Sequence, residues 1–277
     1  MQIAAPFFTN TRGLAPIVGT ILMIGLVIVL GAVIGSQALS VETPDDHYER
    51  FKEIAYQNVE ELPEDVIGWW NFDNNLNDIS DYKNNGEKSG NIQYVDGVSG
   101  QAIRLDGNSY VKIPSTESLN VSDEITIISW VRWDITPVSG DNWANIVFKS
   151  ENNGATHDGA YRLQHSQTNS QFEFAIETYI EGYDWLFGSS WVVAPSKNTW
   201  YHVACTYDGS EKVMYINGNK VGSENTNGKI KASDEKPLYI GSAGNSRYFT
   251  GTIDEVQIYE RALSASEVSE IYESYLK

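Results

Sequence analysis

Residues 200–222 read Trp-Tyr-His-Val-Ala-Cys-Thr-Tyr-Asp-Gly-Ser-Glu-Lys-Val-Met-Tyr-Ile-Asn-Gly-Asn-Lys-Val-Gly, and the period of this stretch decides the fold. Tyr201–Tyr207 and Val213–Ile216 follow the two-residue repeat of strands. Asp208-Gly209 and Asn217-Gly218 close the two runs. Both dipeptides tolerate the positive φ of tight hairpin turns, so the chain is expected to double back here. Cys205, inside the first run, is the only cysteine of the 277 residues. No intrachain disulfide is possible, and a strand-interior thiol is expected to be buried and inert.

The same period extends outward. Val66–Phe72, Ala102–Leu105, Tyr110–Ile113, Ile125–Val131, Ile146–Lys149, Tyr161–Gln164, Phe172–Tyr179, Trp191–Ala194, Pro237–Ile240 and Thr252–Tyr259 read as further strands, separated by Gly, Asn and Asp clusters. Many short strands with almost no helix predict an all-β fold, a two-sheet antiparallel sandwich. One helix is expected at the end of the chain. Ser264 and Glu267 make a capping-box pair, and Val268, Ile271, Tyr272 and Tyr275 recur on one helical face.

Upstream, Leu14–Leu39 is apolar and uncharged. A membrane span needs about 20 such residues, so this run predicts one long hydrophobic helix. Pro16 falls in its first turn, where a missing N–H costs little. Gly31 and Gly35 form a Gly-x-x-x-Gly pair, a spacing that lets helix backbones approach closely. Arg12 precedes the run and Ser40–Asp46 is acidic, which predicts a cytoplasmic N-terminus and an external sandwich. Four segments result: a leader at 1–13, a transmembrane or pilin-like helix at 14–39, a connector at 40–65 and the sandwich at 66–277. The net charge of −18 argues against nucleic acid or an anionic membrane surface as a partner.

Two resemblances sharpen these readings. Thr-Arg-Gly at 11–13, followed by Leu-Ala-Pro-Ile-Val-Gly-Thr-Ile-Leu-Met-Ile, resembles the class III signal of archaeal type IV pilins and archaellins. The resemblance implies a cut between Gly13 and Leu14 that leaves the apolar run as an assembly helix. Gly-Trp-Trp-Asn-Phe-Asp at 68–73, Gly-Gln-Ala-Ile-Arg-Leu-Asp-Gly at 100–107, Tyr-Val-Lys-Ile-Pro at 110–114 and Trp-Tyr-His-Val at 200–203 follow in order. With Phe-Thr-Gly-Thr-Ile-Asp-Glu-Val-Gln-Ile-Tyr-Glu-Arg-Ala-Leu-Ser at 249–264, they resemble laminin G-like, concanavalin A-like jelly rolls. That family implies two packed sheets, carbohydrate or protein binding at cell surfaces, and often a bound calcium. His202 lies in the Trp-Tyr-His-Val motif at 200–203, where the resemblance implies a structural role.

Candidate site residues fall into separate groups. By strand alternation Asp254 shares a face with Val256 and Ile258; if that face is inward, the carboxylate needs compensation, and structural calcium is one solution. The family pattern adds oxygens from the Asp106-Gly107 turn. Trp143, Tyr183, Asp184, Trp185 and Trp191 combine rings with polar groups, a composition suited to stacking on sugars. Asn120-Val121-Ser122 is the only glycosylation sequon. Glu173 and Glu177 share a strand face, as carboxylates do in laminarinase-like hydrolases, but Ala175 stands where that pattern expects Asp. No enzyme is expected.

The resulting expectation is a cell-surface protein, anchored in the cytoplasmic membrane or assembled into a pilus. Its laminin G-like module would serve adhesion or recognition of a surface glycan or protein. Two alternatives stay open: a filament subunit with the sandwich as outer coat, formed with copies of itself, and a membrane-tethered glycoside hydrolase.

Overall fold

The computed structural model describes residues 65–134, 143–150, 159–166, 171–179, 182–187, 195–231 and 236–276. The expected leader, apolar helix and most of the connector, with Gly13, Leu14, Gly31 and Gly35, lie outside these residues, as does the candidate strand Trp191–Ala194. Among the described residues, no helix is long and apolar enough to cross a membrane.

In chain order the strands are β1 (Val66–Trp70), β2 (Glu87–Ser89), β3 (Gln93–Asp96), β4 (Gln101–Asp106), β5 (Tyr110–Ile113), β6 (Ile125–Trp133), β7 (Trp143–Ser150) and β8 (Gly159–Ser166). They continue with β9 (Gln171–Thr178), β10 (Gly182–Phe187), β11 (Trp200–Tyr207), β12 (Glu211–Ile216), β13 (Asn219–Asn225), β14 (Leu238–Ile240) and β15 (Thr250–Tyr259), before helix α1 (Ala265–Ser274). One sheet runs β13-β12-β11-β6-β15-β4-β3, with β1 also paired to β15; the other runs β10-β9-β8-β7-β14-β5-β2. Every pairing between these strands is antiparallel. The expected all-β two-sheet sandwich of jelly-roll type is what the chain forms.

Alternation explains the core. Ile127, Val131, Val203, Cys205, Ile253 and Ile258 from the first sheet belong to one buried cluster with Val111, Val147, Leu163, Phe172, Phe174 and Ile240 from the second. Burial pushes the Cys205 thiol well above its usual range, consistent with an inert core residue. Trp133 packs edge-on against His165 and Phe172, with ring centroids 5.1 and 5.4 Å away. Burial lowers the His165 pKa to about 4, so this ring is neutral at physiological pH.

Helix α1 packs on the far face of the first sheet through Tyr272. The capping box forms: the Glu267 N–H donates to Ser264 Oγ at 3.3 Å, and the Ser264 N–H donates to Glu267 Oε2 at 2.8 Å. From the helix, Tyr272 stacks on Trp130 at 5.7 Å between centroids, and His202 lies edge-on to Trp130 at 5.3 Å. His202 is buried and its pKa falls to about 3. Its role in this packing is structural.

Candidate functional site

The outer face of the seven-stranded sheet carries an unusual set of polar side chains. Along β8, Tyr161 and Leu163 enter the core, so Arg162 and Gln164 stand on the opposite face. The β9 register sets Glu173 across from Gln164, and Ala175 across from Arg162. On β7 the register slips between Asn145 and Val147, an irregularity that keeps Val147 inward and Asn145 beside Gln164. Asn145, Gln164 and Glu173 therefore form one row across three neighbouring strands.

All three, and Arg162, are almost fully buried. Gln164 donates to Glu173 Oε2 at 2.6 Å, and Arg162 Nη1 donates to Gln164 Oε1 at 3.4 Å. Burial raises the Glu173 pKa, while hydrogen bonds from Gln164 and Ser166 and the charges of Arg162 and Arg247 pull against that rise. Asn145 stands apart: neither its amide oxygen nor its amide nitrogen has a hydrogen-bond partner. An unpartnered buried polar group costs about 1–3 kcal/mol, so an amide in this state calls for a ligand or water.

Arg247 joins the row from the turn between β14 and β15. Its carbonyl accepts the Asn145 N–H at 3.0 Å. Its backbone takes φ +52°, a conformation uncommon outside glycine. Its guanidinium carbon lies 4.7 Å from the centre of the Trp143 ring. Beside the polar row runs an aromatic one. Arg162 lies over Phe148 at 5.1 Å; Phe148 meets Tyr239 at 6.5 Å, and Tyr239 meets Tyr110 at 5.7 Å.

The structure places Trp143 in this site. Tyr183, Asp184 and Trp185, expected as a binding stretch, lie on β10 at the edge of the same sheet, paired with Glu177, Ile176 and Ala175. Trp191 lies outside the described residues. Asn145, Arg162, Gln164 and Arg247 were not singled out in the sequence. On β8 the two-residue alternation sets Arg162 and Gln164 on the face away from Tyr161 and Leu163. It could not distinguish an ordinary solvated face from a buried one.

Asp254 departs from expectation. Glu255 has φ +49°, and the pairing with β6 slips between Asp254 and Gln257. This bulge resets the alternation: Ile253, Val256 and Ile258 face the core, whereas Asp254 stands on the opposite face, across from Trp130. It is buried nonetheless. β15 pairs with β4 through Ile253 and with β1 from Val256, so Asp254 stands where one partner gives way to the other. Its Oδ2 accepts the N–H groups of Val98 at 2.8 Å and Ser99 at 3.4 Å, and its Oδ1 accepts that of Glu255 at 2.9 Å. Burial first, and the neighbouring Glu255 charge second, push its pKa well up.

Asp106 does not join it. Asp106 pairs with Thr250, four residues from Asp254, which is about 13 Å along a strand. Its own carboxylate accepts the Asn108 N–H at 3.0 Å and the Ser109 hydroxyl at 2.9 Å, and those bonds lower its pKa. Gly107 follows at φ +85° as the turn residue. Among the described residues, no group of three His, Cys, Asp or Glu side chains is placed to hold a metal ion. Asn120 ends the 3-10 turn Glu117–Leu119, and its N–H donates to Glu117. Its side-chain oxygen is buried without a partner.

Glu173 and Glu177 are spaced unlike a hydrolase pair along the backbone. Four residues apart on one strand, they are about 13 Å apart along the backbone, against about 5–9.5 Å between catalytic carboxyls. Glu177 is also in an ion pair with Lys231 at 2.7 Å.

The two sheets and this polar outer face define an antiparallel jelly-roll sandwich of the lectin type. The chain belongs to the concanavalin A-like lectin/glucanases superfamily, whose laminin G profile matches residues 105–269. The N-terminal profile of archaeal type IV pilins matches residues 12–47. A curated relative, Paraclostridial mosquitocidal protein 1 of Paraclostridium bifermentans, is 26% identical over 210 residues, covering 72% of this chain but only 16% of that protein. The crystal structure of its binding domain superposes with a TM-score of 0.62 at 22% identity, over 77% of this chain and 53% of that one. Domain 4 of AbnA, a GH43 extracellular arabinanase from Geobacillus stearothermophilus, solved with arabinotriose, gives 0.58 at 22% identity over 75% and 98%. The receptor-binding domain of botulinum neurotoxin C/D mosaic serotype gives 0.58 at 19% identity, over 76% and 52%. This chain thus spans about half of both toxin domains, and at these identities the likeness shows a shared fold.

Proposed function

We propose that the chain is a surface-displayed carbohydrate-binding module, carried on a pilin-type N-terminal segment and acting in adhesion or recognition without catalysis. The observation that carries this reading is the outer sheet face, where the unpartnered Asn145 amide lies beside Gln164, Glu173 and Trp143 and next to the row Phe148–Tyr239–Tyr110. Rings for stacking beside buried amides and carboxyls are the composition of a sugar site. The names of the similar structures support it: receptor-binding toxin domains, an arabinanase domain holding arabinotriose, and a botulinum neurotoxin DC binding domain in complex with SialylT. The pilin profile supports display at the surface, by anchoring in the membrane or assembly with further copies into a filament.

A glycan array probed with the full-length chain in detergent micelles tests the reading. Binding to a defined set of oligosaccharides is expected, with loss of signal in Trp143→Ala. A folded protein that binds no glycan on the array overturns it and favours a filament subunit whose sandwich serves as outer coat.

Calcium is proposed at Asp254 alone. The expected set with Asp106 and Gly107 does not assemble. Burial, and second the neighbouring Glu255 charge, raise the cost of ionising Asp254, a cost that a cation held with backbone carbonyls would relieve.

A further inference from the structure

We propose that the outer face of the seven-stranded sheet takes the interior of a linear oligosaccharide, several units laid along a strip of aromatic rings, rather than one terminal sugar. This rests on the carbohydrate-binding reading above and adds Tyr248 to the residues that carry it.

The strip is built by strand alternation and by one turn. On β5, Val111 and Ile113 enter the core, which sets Tyr110 outward; on β14, Leu238 and Ile240 do the same for Tyr239. Ala144 is a core residue beside Trp143, and Phe249 is one beside Tyr248. Trp143, Tyr110, Tyr239 and Tyr248 are all part-exposed. Tyr239 meets Tyr110 at 5.7 Å between centroids, and Tyr110 meets Tyr248 at 6.2 Å. Arg247, next to Tyr248 in the chain, places its guanidinium over the Trp143 ring at 4.7 Å.

The register shows that this order runs along the strands. Tyr239 lies across from Phe148, and Phe148 from Arg162, whereas Trp143 lies across from Ser166. Arg162 and Ser166 are four residues apart on β8, about 13 Å, which is longer than one sugar ring. Asn145 pairs with Gln164, midway between those two levels, so its unpartnered amide lies beside the middle of the strip.

The rings are fixed without a ligand. The backbone of Gly244, at φ +86°, comes so close to Tyr239 that a Cβ there would lie 3.2 Å from the ring. On either side of Tyr248, the Arg247 carbonyl accepts the Asn145 N–H at 3.0 Å, and the Phe249 N–H donates to the Gly241 carbonyl at 2.9 Å. Rings already held in place lose little freedom on binding.

A sugar chain has an apolar face of C–H groups and a rim of hydroxyls. Tyrosines suit both, because the ring stacks while the phenolic oxygen bonds at the rim. None of the three tyrosine hydroxyls is bonded to another described residue. A single sugar would cover part of the strip and leave the other rings exposed. A protein partner buries about 800 Å² on each side, more than a single file of part-exposed rings offers.

The test is isothermal titration of the full-length chain in detergent micelles with cello-, manno- and arabino-oligosaccharides, each from disaccharide to hexasaccharide. In at least one series the tetrasaccharide is expected to bind about tenfold or more tighter than the disaccharide, the scale of further stacked rings. Tyr248→Ala, with folding checked by its melting curve, is expected to flatten this dependence on length, and Tyr248→Phe, which keeps the ring, to preserve it. Tyr110→Ala serves as the second variant and should act as Tyr248→Ala does. Binding with no gain beyond the disaccharide overturns this inference and leaves the carbohydrate reading standing. A length dependence that survives both alanine variants overturns the assignment to this strip. Failure of every series to bind overturns the inference, and with a blank glycan array it overturns the carbohydrate reading as well.

Discussion

A single backbone angle separates the sequence reading of Asp254 from its structure. Strict alternation along β15 puts Asp254 with Val256 and Ile258, but Glu255 at φ +49° inserts a bulge and moves Asp254 to the other face. Glutamate is not a residue whose presence signals positive φ, so nothing in the local sequence announces the slip. The same limit applies to the candidate face: alternation along β8 sets Arg162 and Gln164 away from the core, but only the register shows that Asn145 and Glu173 line up with Gln164. The bulge also changes what calcium should do. A ligand at a hundredfold excess over its Kd stabilises by about 2.7 kcal/mol, and each kcal/mol shifts the midpoint of a domain this size by about 2–4 °C. Excess calcium is therefore expected to raise the Tm of metal-stripped protein by several degrees. Asp254→Asn should abolish the response, and Asp106→Asn, about 13 Å away, should leave it whole. Identical melting with and without calcium would reduce Asp254 to a carboxyl that satisfies the N–H groups of Val98, Ser99 and Glu255.

At the scale of elements, the eleven described strands anticipated from the sequence all form, and the four that were not anticipated, β2, β3, β10 and β13, are the end strands of the two strand orders. β2, β3 and β13 are mostly exposed and polar. An edge strand has one neighbour and little buried face, so it carries no alternation to read, and polar edges are common because they resist unwanted pairing. β10 escaped for another reason: its aromatic residues were read as a binding stretch. The closing helix was legible because its signal is local. Arg261 Nη2 donates to Glu267 Oε1 at 2.7 Å, and this bond, with those from Ser264, draws the Glu267 pKa down to about 2 from an ordinary 4.5. A carboxyl with a lowered folded pKa stabilises the fold above its unfolded pKa and loses that contribution as pH falls through the folded one. Wild-type protein is thus expected to melt above Glu267→Gln at neutral pH, the gap closing between about pH 4.5 and 2. A gap unchanged across that range would mean that the carboxyl's charge contributes nothing to holding α1.

At the scale of the whole molecule, the sandwich was legible from period and turn chemistry, and the pilin-type likeness of residues 12–47 from the apolar run and the Thr-Arg-Gly motif before it. The proposed processing is open to direct measurement. Mature protein recovered from the cell surface is expected to begin at Leu14, and Gly13→Val should block the cut. Surface protein that retains Met1 would leave a plain anchor. The sandwich begins beside its own end. β1 pairs with β15, the Glu260 N–H donates to the Asp65 carbonyl at 2.9 Å, and the Arg261 guanidinium is paired with the Asp65 carboxylate. For a module that grips a ligand while held by the chain before Asp65, this arrangement governs mechanical strength. Tension arriving from that side meets the Asp65 clasp first. When the pull runs along β1, the bonds to β15 share the load in shear, and rupture needs several to fail together. If the module is displayed as proposed, the β1–β15 pairing and the Asp65 clasp are the contacts that a pull from that side would load.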